Sequence, residues 1–96
     1  MRTTYLVCYD IADAKRLRQV FKVCKNSGEH LQFSIFECDL NPHEKAALES
    51  ELSEIIHHTE DQVVFVSLGP TEGRGDRVIT ALGLPYLKMD APCYVF

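Results

Sequence analysis

At 96 residues, with 46% of them apolar and 25% charged, the chain has material for one hydrophobic core and not two, and its composition excludes intrinsic disorder. A formal charge of -4 gives no overall cationic footprint for a polyanion, and no stretch reaches the roughly 20 apolar residues that cross a bilayer. The first residues lack a small-residue cleavage site, and Cys8, Cys24, Cys38 and Cys93 show no Cys-x-x-Cys spacing, so the expectation is a cytoplasmic protein, not bound to a membrane, whose thiols are reduced and act as small hydrophobes.

Thr3 to Tyr9 is short, β-branched and aromatic, which predicts a buried strand ending at Asp10, with Ile11 to Asp13 as the turn. From Ala14 to Lys25, Leu17, Val20, Phe21 and Cys24 recur at helical spacing, and Asp13 stands where an N-cap belongs. Gly28 is expected to close this helix in a left-handed conformation. Lys15, Arg16, Arg18, Lys22 and Lys25 fall on the same helix, so a polyanion is expected near it; Glu44, Glu49, Glu51, Glu54, Glu60 and Asp61 make a later stretch acidic.

Leu31 to Leu40 alternates, with Leu31, Phe33 and Ile35 on one side and Gln32, Ser34, Phe36 and Cys38 on the other, as one kinked strand or two short ones. Asn41, Pro42 and Glu44 form a capping-box start to a second helix, which carries Leu48, Leu52, Ile55 and Ile56 and runs to about His58. Gln62 to Leu68 is a Val-rich strand; Gly69 to Gly75 reads as a loop without phosphate-loop spacing, and Val78 to Leu82 as a weaker strand candidate. The apolar tail Ala91 to Phe96 is expected to pair with a sheet edge, on this subunit or its partner.

This order predicts an α+β fold: a ferredoxin-like βαββαβ antiparallel sheet with two helices on one face, in a single domain over 1–96 whose residues 82–96 form an extension with an added strand. Phe36 and Cys38, opposite Leu31, Phe33 and Ile35, make the second sheet face partly apolar, which predicts a homodimer packed sheet to sheet.

Asp10 is the leading candidate for chemistry, because a carboxylate at the end of a central strand is rigidly held yet open to solvent. Aspartate also suits such turns for structural reasons alone. Magnesium, however, is commonly held by one or two carboxylates plus waters and phosphates, and a two-fold axis brings two Asp10 side chains to one ion. Arg16 and Arg18 have the geometry to grip phosphate oxygens bidentately, against the alternative of a solvated helix face. The Ser34 hydroxyl either positions a phosphate or bonds to backbone; no His–Asp pair accompanies it. Phe36 reads as core or interface more readily than as a base-stacking platform. His30, His43, His57 and His58 show no metal-ligand spacing, and His57 and His58 are expected to end a helix in solvent.

Tyr9-Asp10-Ile11, the basic helix with Arg16 and Arg18, and Gly28-Glu29-His30-Leu31-Gln32-Phe33-Ser34-Ile35-Phe36-Glu37-Cys38 together resemble the CRISPR-associated Cas-two family, and the likeness runs on through the Asn41 helix and the Val63 to Leu68 strand. The resemblance implies a ferredoxin-like dimer in which two Asp10 residues share one magnesium ion, and metal-dependent cleavage of single-stranded RNA or double-stranded DNA. It further implies that the dimer bridges Cas-one integrase dimers during spacer acquisition. By match, Asp10 is the metal ligand and Arg16, Arg18, Ser34 and Phe36 support it. His30 departs from the pattern, since similar proteins commonly carry arginine there; a protonated His30 would be the substitute contact for a phosphate. Three other functions compete: a non-catalytic DNA-binding adaptor of the integrase, a toxin-type ribonuclease of similar fold, and a small-molecule regulatory domain.

Overall fold

The structure, a computed structural model, describes residues 1–72 and 82. In chain order the elements are β1 (Thr3–Asp10), α1 (Ala14–Ser27), β2 (Glu29–Gln32), β3 (Ile35–Leu40), α2 (Pro42–Ile55) and β4 (Gln62–Pro70). The strands form one antiparallel sheet in the order β2-β3-β1-β4, the ferredoxin-like βαββαβ arrangement of an α+β fold. Of the expected Gly69 to Gly75 loop, Gly69 and Pro70 instead complete β4, while residues 73–75, the expected Val78 to Leu82 strand and the 91–96 tail lie outside the described residues, Leu82 alone excepted.

Both helices begin where local chemistry satisfies their free N–H groups. The Asp13 carboxylate accepts from Arg16 N–H at 3.0 Å, and at α2 the Asn41 side chain accepts from Glu44 N–H at 2.7 Å while the Glu44 carboxylate accepts from Asn41 N–H at 2.9 Å. These are an N-cap and a complete capping box. Val20, Phe21 and Cys24 of α1 and Leu48 and Leu52 of α2 are buried against Val7, Tyr9, Phe36, Cys38 and Leu40 of the sheet. Fully burying a side chain of valine, leucine or phenylalanine size contributes about 1.5–3 kcal/mol.

Three local expectations are corrected. Gly28 is extended, at φ -169° and ψ -162°, not left-handed. Its lack of a side chain serves close packing instead: a Cβ there would sit 2.5 Å from Cys38 Sγ and 2.9 Å from Cys38 Cα. Next, of the two readings of Leu31–Leu40 the two short strands hold, with Phe33 at φ 36° in the turn; what is overturned is the face, since the β3 residues that meet the helices are Phe36, Cys38 and Leu40. The apolar part of the open face is therefore not Phe36 and Cys38. Register places Leu6 between Val66 and Glu37, and Cys8 between Val64 and Ile35, and Val64 and Val66 are 40% and 41% exposed. Lastly, α2 stops at Ile55, before His57, whose N–H is taken by Asp61; His57 and His58 are exposed just beyond the helix.

Candidate active site

Asp10 is the last residue of β1, paired with Gln62 of β4. Strand alternation sends buried Tyr9 toward the helices and puts Asp10, with Cys8 and Leu6, on the face away from α1 and α2. The Asp10 side chain is exposed and makes no hydrogen bond or ion pair among the described residues. Ser34 lies in the β2–β3 turn rather than in a strand, and its carbonyl accepts from Tyr9 N–H at 3.1 Å. The fold thus brings Ser34 alongside the Asp10 end of β1.

Arg16 is placed differently from a phosphate grip. Its Nε donates to Asp61 Oδ2 at 2.7 Å, and its Nη2 donates to Asp61 Oδ1 at 3.2 Å and to Glu60 Oε1 at 3.1 Å. Asp61 also accepts Ala12 N–H at 2.9 Å and His57 N–H at 2.8 Å, and its side chain has no exposed surface. Charge-assisted donation from Arg16, then the two backbone N–H groups, holds the Asp61 carboxyl well below the usual carboxylate range. The Asp13 carboxyl is lowered too, chiefly by the Arg16 N–H it caps. Sequence reasoning counted Asp61 only as one of an acidic run; an aspartate that closes a turn directly before a strand was the available signal.

Arg18 is exposed on α1, in the layer opposite the face that carries Asp10, and shares a groove with Lys15, Lys22 and Lys25. None of these four cations has an ion pair among the described residues. Phe36 has no exposure; it stacks on His30 at 4.7 Å and meets Phe21 edge-on at 5.5 Å. It supports the sheet as core and has no surface to offer a ligand, which corrects its expected place among residues that touch substrate. His30 is likewise not a phosphate contact: it is 4% exposed, and its Nε2 donates to the Phe33 carbonyl at 2.7 Å. That bond puts a proton on Nε2, and the buried Nδ1 has no hydrogen-bond partner among the described residues.

No cluster of three or more His, Cys, Asp or Glu capable of enclosing a metal occurs among the described residues. Among the described residues, one chain offers the Asp10 carboxylate on a rigid strand end. That donor set fits magnesium, which accepts one or two carboxylates and keeps waters and phosphates as its other ligands, and it does not fit a closed transition-metal cage. Cys24 and Cys38 are free, buried thiols, pushed up by burial to about 12 and about 11 respectively; Cys8 is free and half-buried on the open face, and Cys93 lies outside the described residues.

Residues 2–74 match the family model of the CRISPR associated protein Cas2. The chain is 43% identical over 86 residues to CRISPR-associated endoribonuclease Cas2 1 of Rhodospirillum rubrum, covering 90% of this chain and 83% of that protein. Over 69 residues it is 35% identical to CRISPR-associated endonuclease Cas2 of Halalkalibacterium halodurans, covering 67% and 72%. Among solved structures, Streptococcus pyogenes Cas2 at pH 6.5 aligns with a TM-score of 0.67 at 33% identity, over 80% of this chain and 99% of that one. A hypothetical protein, TT1823, from Thermus thermophilus aligns at 0.75 with 24% identity, over 93% and 100%, and shares the fold.

Proposed function

Since the chain belongs to the CRISPR-associated Cas2 family, we propose that it is a cytoplasmic, magnesium-dependent endonuclease acting on single-stranded RNA or double-stranded DNA, as a homodimer that also joins Cas-one integrase dimers in spacer acquisition. The observation that carries the catalytic part is the Asp10 carboxylate, exposed at the end of a central strand and without a partner among the described residues. Support for the dimer comes from the apolar open face around Leu6, Cys8, Val64 and Val66, on which Asp10 also lies. No helix of the described residues is long and apolar enough to cross a membrane.

In this reading Asp10 contributes the protein ligand, and the second ligand is Asp10 of the partner subunit. Magnesium supplies Lewis-acid polarisation of a phosphodiester and a more acidic bound water. Ser34, whose carbonyl accepts from Tyr9 N–H next to Asp10, would orient a phosphate oxygen, whereas Arg16 holds the turn beside Asp10 rather than the substrate. Arg18, with Lys15, Lys22 and Lys25, none of them ion-paired among the described residues, offers four charges to a nucleic-acid backbone. The expected result is that Asp10→Ala lowers magnesium-dependent cleavage of single-stranded RNA or double-stranded DNA about 100-fold or more; cleavage at the wild-type rate by purified Asp10→Ala refutes the catalytic reading.

A second reading, the non-catalytic adaptor, is favoured by a specific observation. Arg16 is committed to Asp61 and Phe36 to the core, so the expected supporting groups do not converge on Asp10 within one chain. On that reading Asp10→Ala leaves integrase and DNA binding intact, and the wild type itself cleaves nothing.

A further inference from the structure

With no hydrogen bond or ion pair on its carboxylate among the described residues, Asp10 is aimed by its backbone, so whatever fixes that backbone fixes the ligand. Three bonds do so. Asp10 is in register with Gln62, Tyr9 N–H donates to the Ser34 carbonyl, and Ala12 N–H donates to Asp61 Oδ1. The connection from β1 to α1 is only Ile11 to Asp13, with Ile11 packed on the core and Asp13 committed as N-cap, so a shift at Ala12 cannot be absorbed before it reaches Asp10. Asp61 immediately precedes Gln62 and thereby holds the turn from the strand that pairs with Asp10. Its carboxylate takes four donors, from Ala12, His57 and twice from Arg16, which fills the roughly four lone-pair sites it has.

We propose that Asp61, fastened by Arg16, is a positioning residue that sets where the Asp10 carboxylate stands for metal binding. This rests on the reading of Asp10 as a metal ligand. The demand for such a device follows from symmetry. When two copies of one carboxylate share an ion on a two-fold axis, a displacement of each changes their separation by up to twice that amount. A slip of about 0.5 Å per chain, the tolerance of a preorganised site, then alters the ligand spacing by about 1 Å, and magnesium's near-ideal octahedron at 2.0–2.1 Å does not accept that. A purely structural staple would share the geometry but place no demand on metal affinity.

The test uses the full chain and manganese alone as probe, titrated by electron paramagnetic resonance, with amide hydrogen exchange read at Ile11 to Asp13. Asp61→Asn is expected to weaken manganese binding about 10-fold or more and to speed exchange at Ala12. In cleavage it should lower kcat with KM for RNA unchanged. Arg16→Lys keeps the charge but not the planar fork and should move affinity the same way by less. Glu44→Gln, which disturbs the Asn41 capping box and the Arg2 ion pair on the other helix, should cost stability with manganese affinity unmoved. Wild-type manganese affinity in folded Asp61→Asn, beside lost binding in Asp10→Ala, overturns the proposal; should the Asn variant not fold, wild-type affinity in Arg16→Lys does so. If Asp10→Ala itself binds manganese as the wild type does, the metal reading has failed and takes this inference with it, an outcome which that arm alone identifies.

Discussion

Alanine at Gly28 adds one methyl group where Cys38 Sγ and Cα are already at 2.5 and 2.9 Å, and because Cα belongs to a central strand it cannot swing aside. Gly28→Ala should therefore destabilise by about 2–3 kcal/mol, the cost of overpacking a tight core, measured as a lower urea midpoint; an unchanged midpoint would show that α1 and β3 can separate without penalty. The sequence marked Gly28 as a helix stop, which it is, but for the wrong reason, since close approach to a strand ten residues on is invisible to local pattern. The caps at Asp13 and Asn41 were legible because all their partners lie within three residues. Asp61 was not, because Arg16 and Ala12 reach it across more than 40 positions.

At the scale of elements, carboxylates at the two helix starts and the α2–β4 turn share one sign of pH dependence. Asp13, Glu44 and Asp61 are all held below their ordinary values, so each binds its proton more weakly folded than unfolded. Their stabilisation is complete above the unfolded value near 4 and is lost as pH falls toward the folded ones. Asp13 is exposed and the Glu44 side chain is 38% exposed, so solvent screens them and their share is small; the enclosed Asp61 should dominate. Urea unfolding from pH 7 to pH 3 is expected to show a steep loss of stability below about pH 4 in the wild type and a shallower one in Asp61→Asn, and equal slopes would refute that role for Asp61. The same turn explains why α2 ends at Ile55 although Ile55, Ile56 and the residues after them read as continuing helix: Asp61 removes His57 N–H from the helical ladder. In Leu31–Leu40 the alternation was legible, but both faces carry apolar residues, and which of them meets the helices is decided by pairing with β1 and not by the stretch itself.

For the whole molecule, element order alone was enough to reach the ferredoxin-like sheet, because strand and helix periods are distinct here and connections are short. The sheet face away from the helices was expected to be apolar through Phe36 and Cys38; its apolar residues are instead Leu6, Cys8, Val64 and Val66, and the proposed homodimer would use them. Val66→Lys should convert the dimer to monomer in light scattering, since a buried ammonium without a partner is strongly disfavoured, and it should raise alkylation of Cys8, located by mass spectrometry; a dimer that persists with Cys8 still protected would place the interface elsewhere. Cys24 and Cys38 should stay unreactive in both, as their burial-raised thiols hold little thiolate at neutral pH.

The sheet order β2-β3-β1-β4 also carries a temporal meaning. The first strand made is the one flanked on both sides, and one of its neighbours, Gln62–Pro70, is the last described strand to be made. Until that segment leaves the ribosome, β1 has an open hydrogen-bonding edge and its Asp10 end lacks both Gln62 and Asp61. The topology thus makes folding wait on a long loop closure, the slow, non-local kind. A nascent chain stopped inside α2 exposes a sticky strand edge and leaves the Asp10 end of β1 without its strand partner.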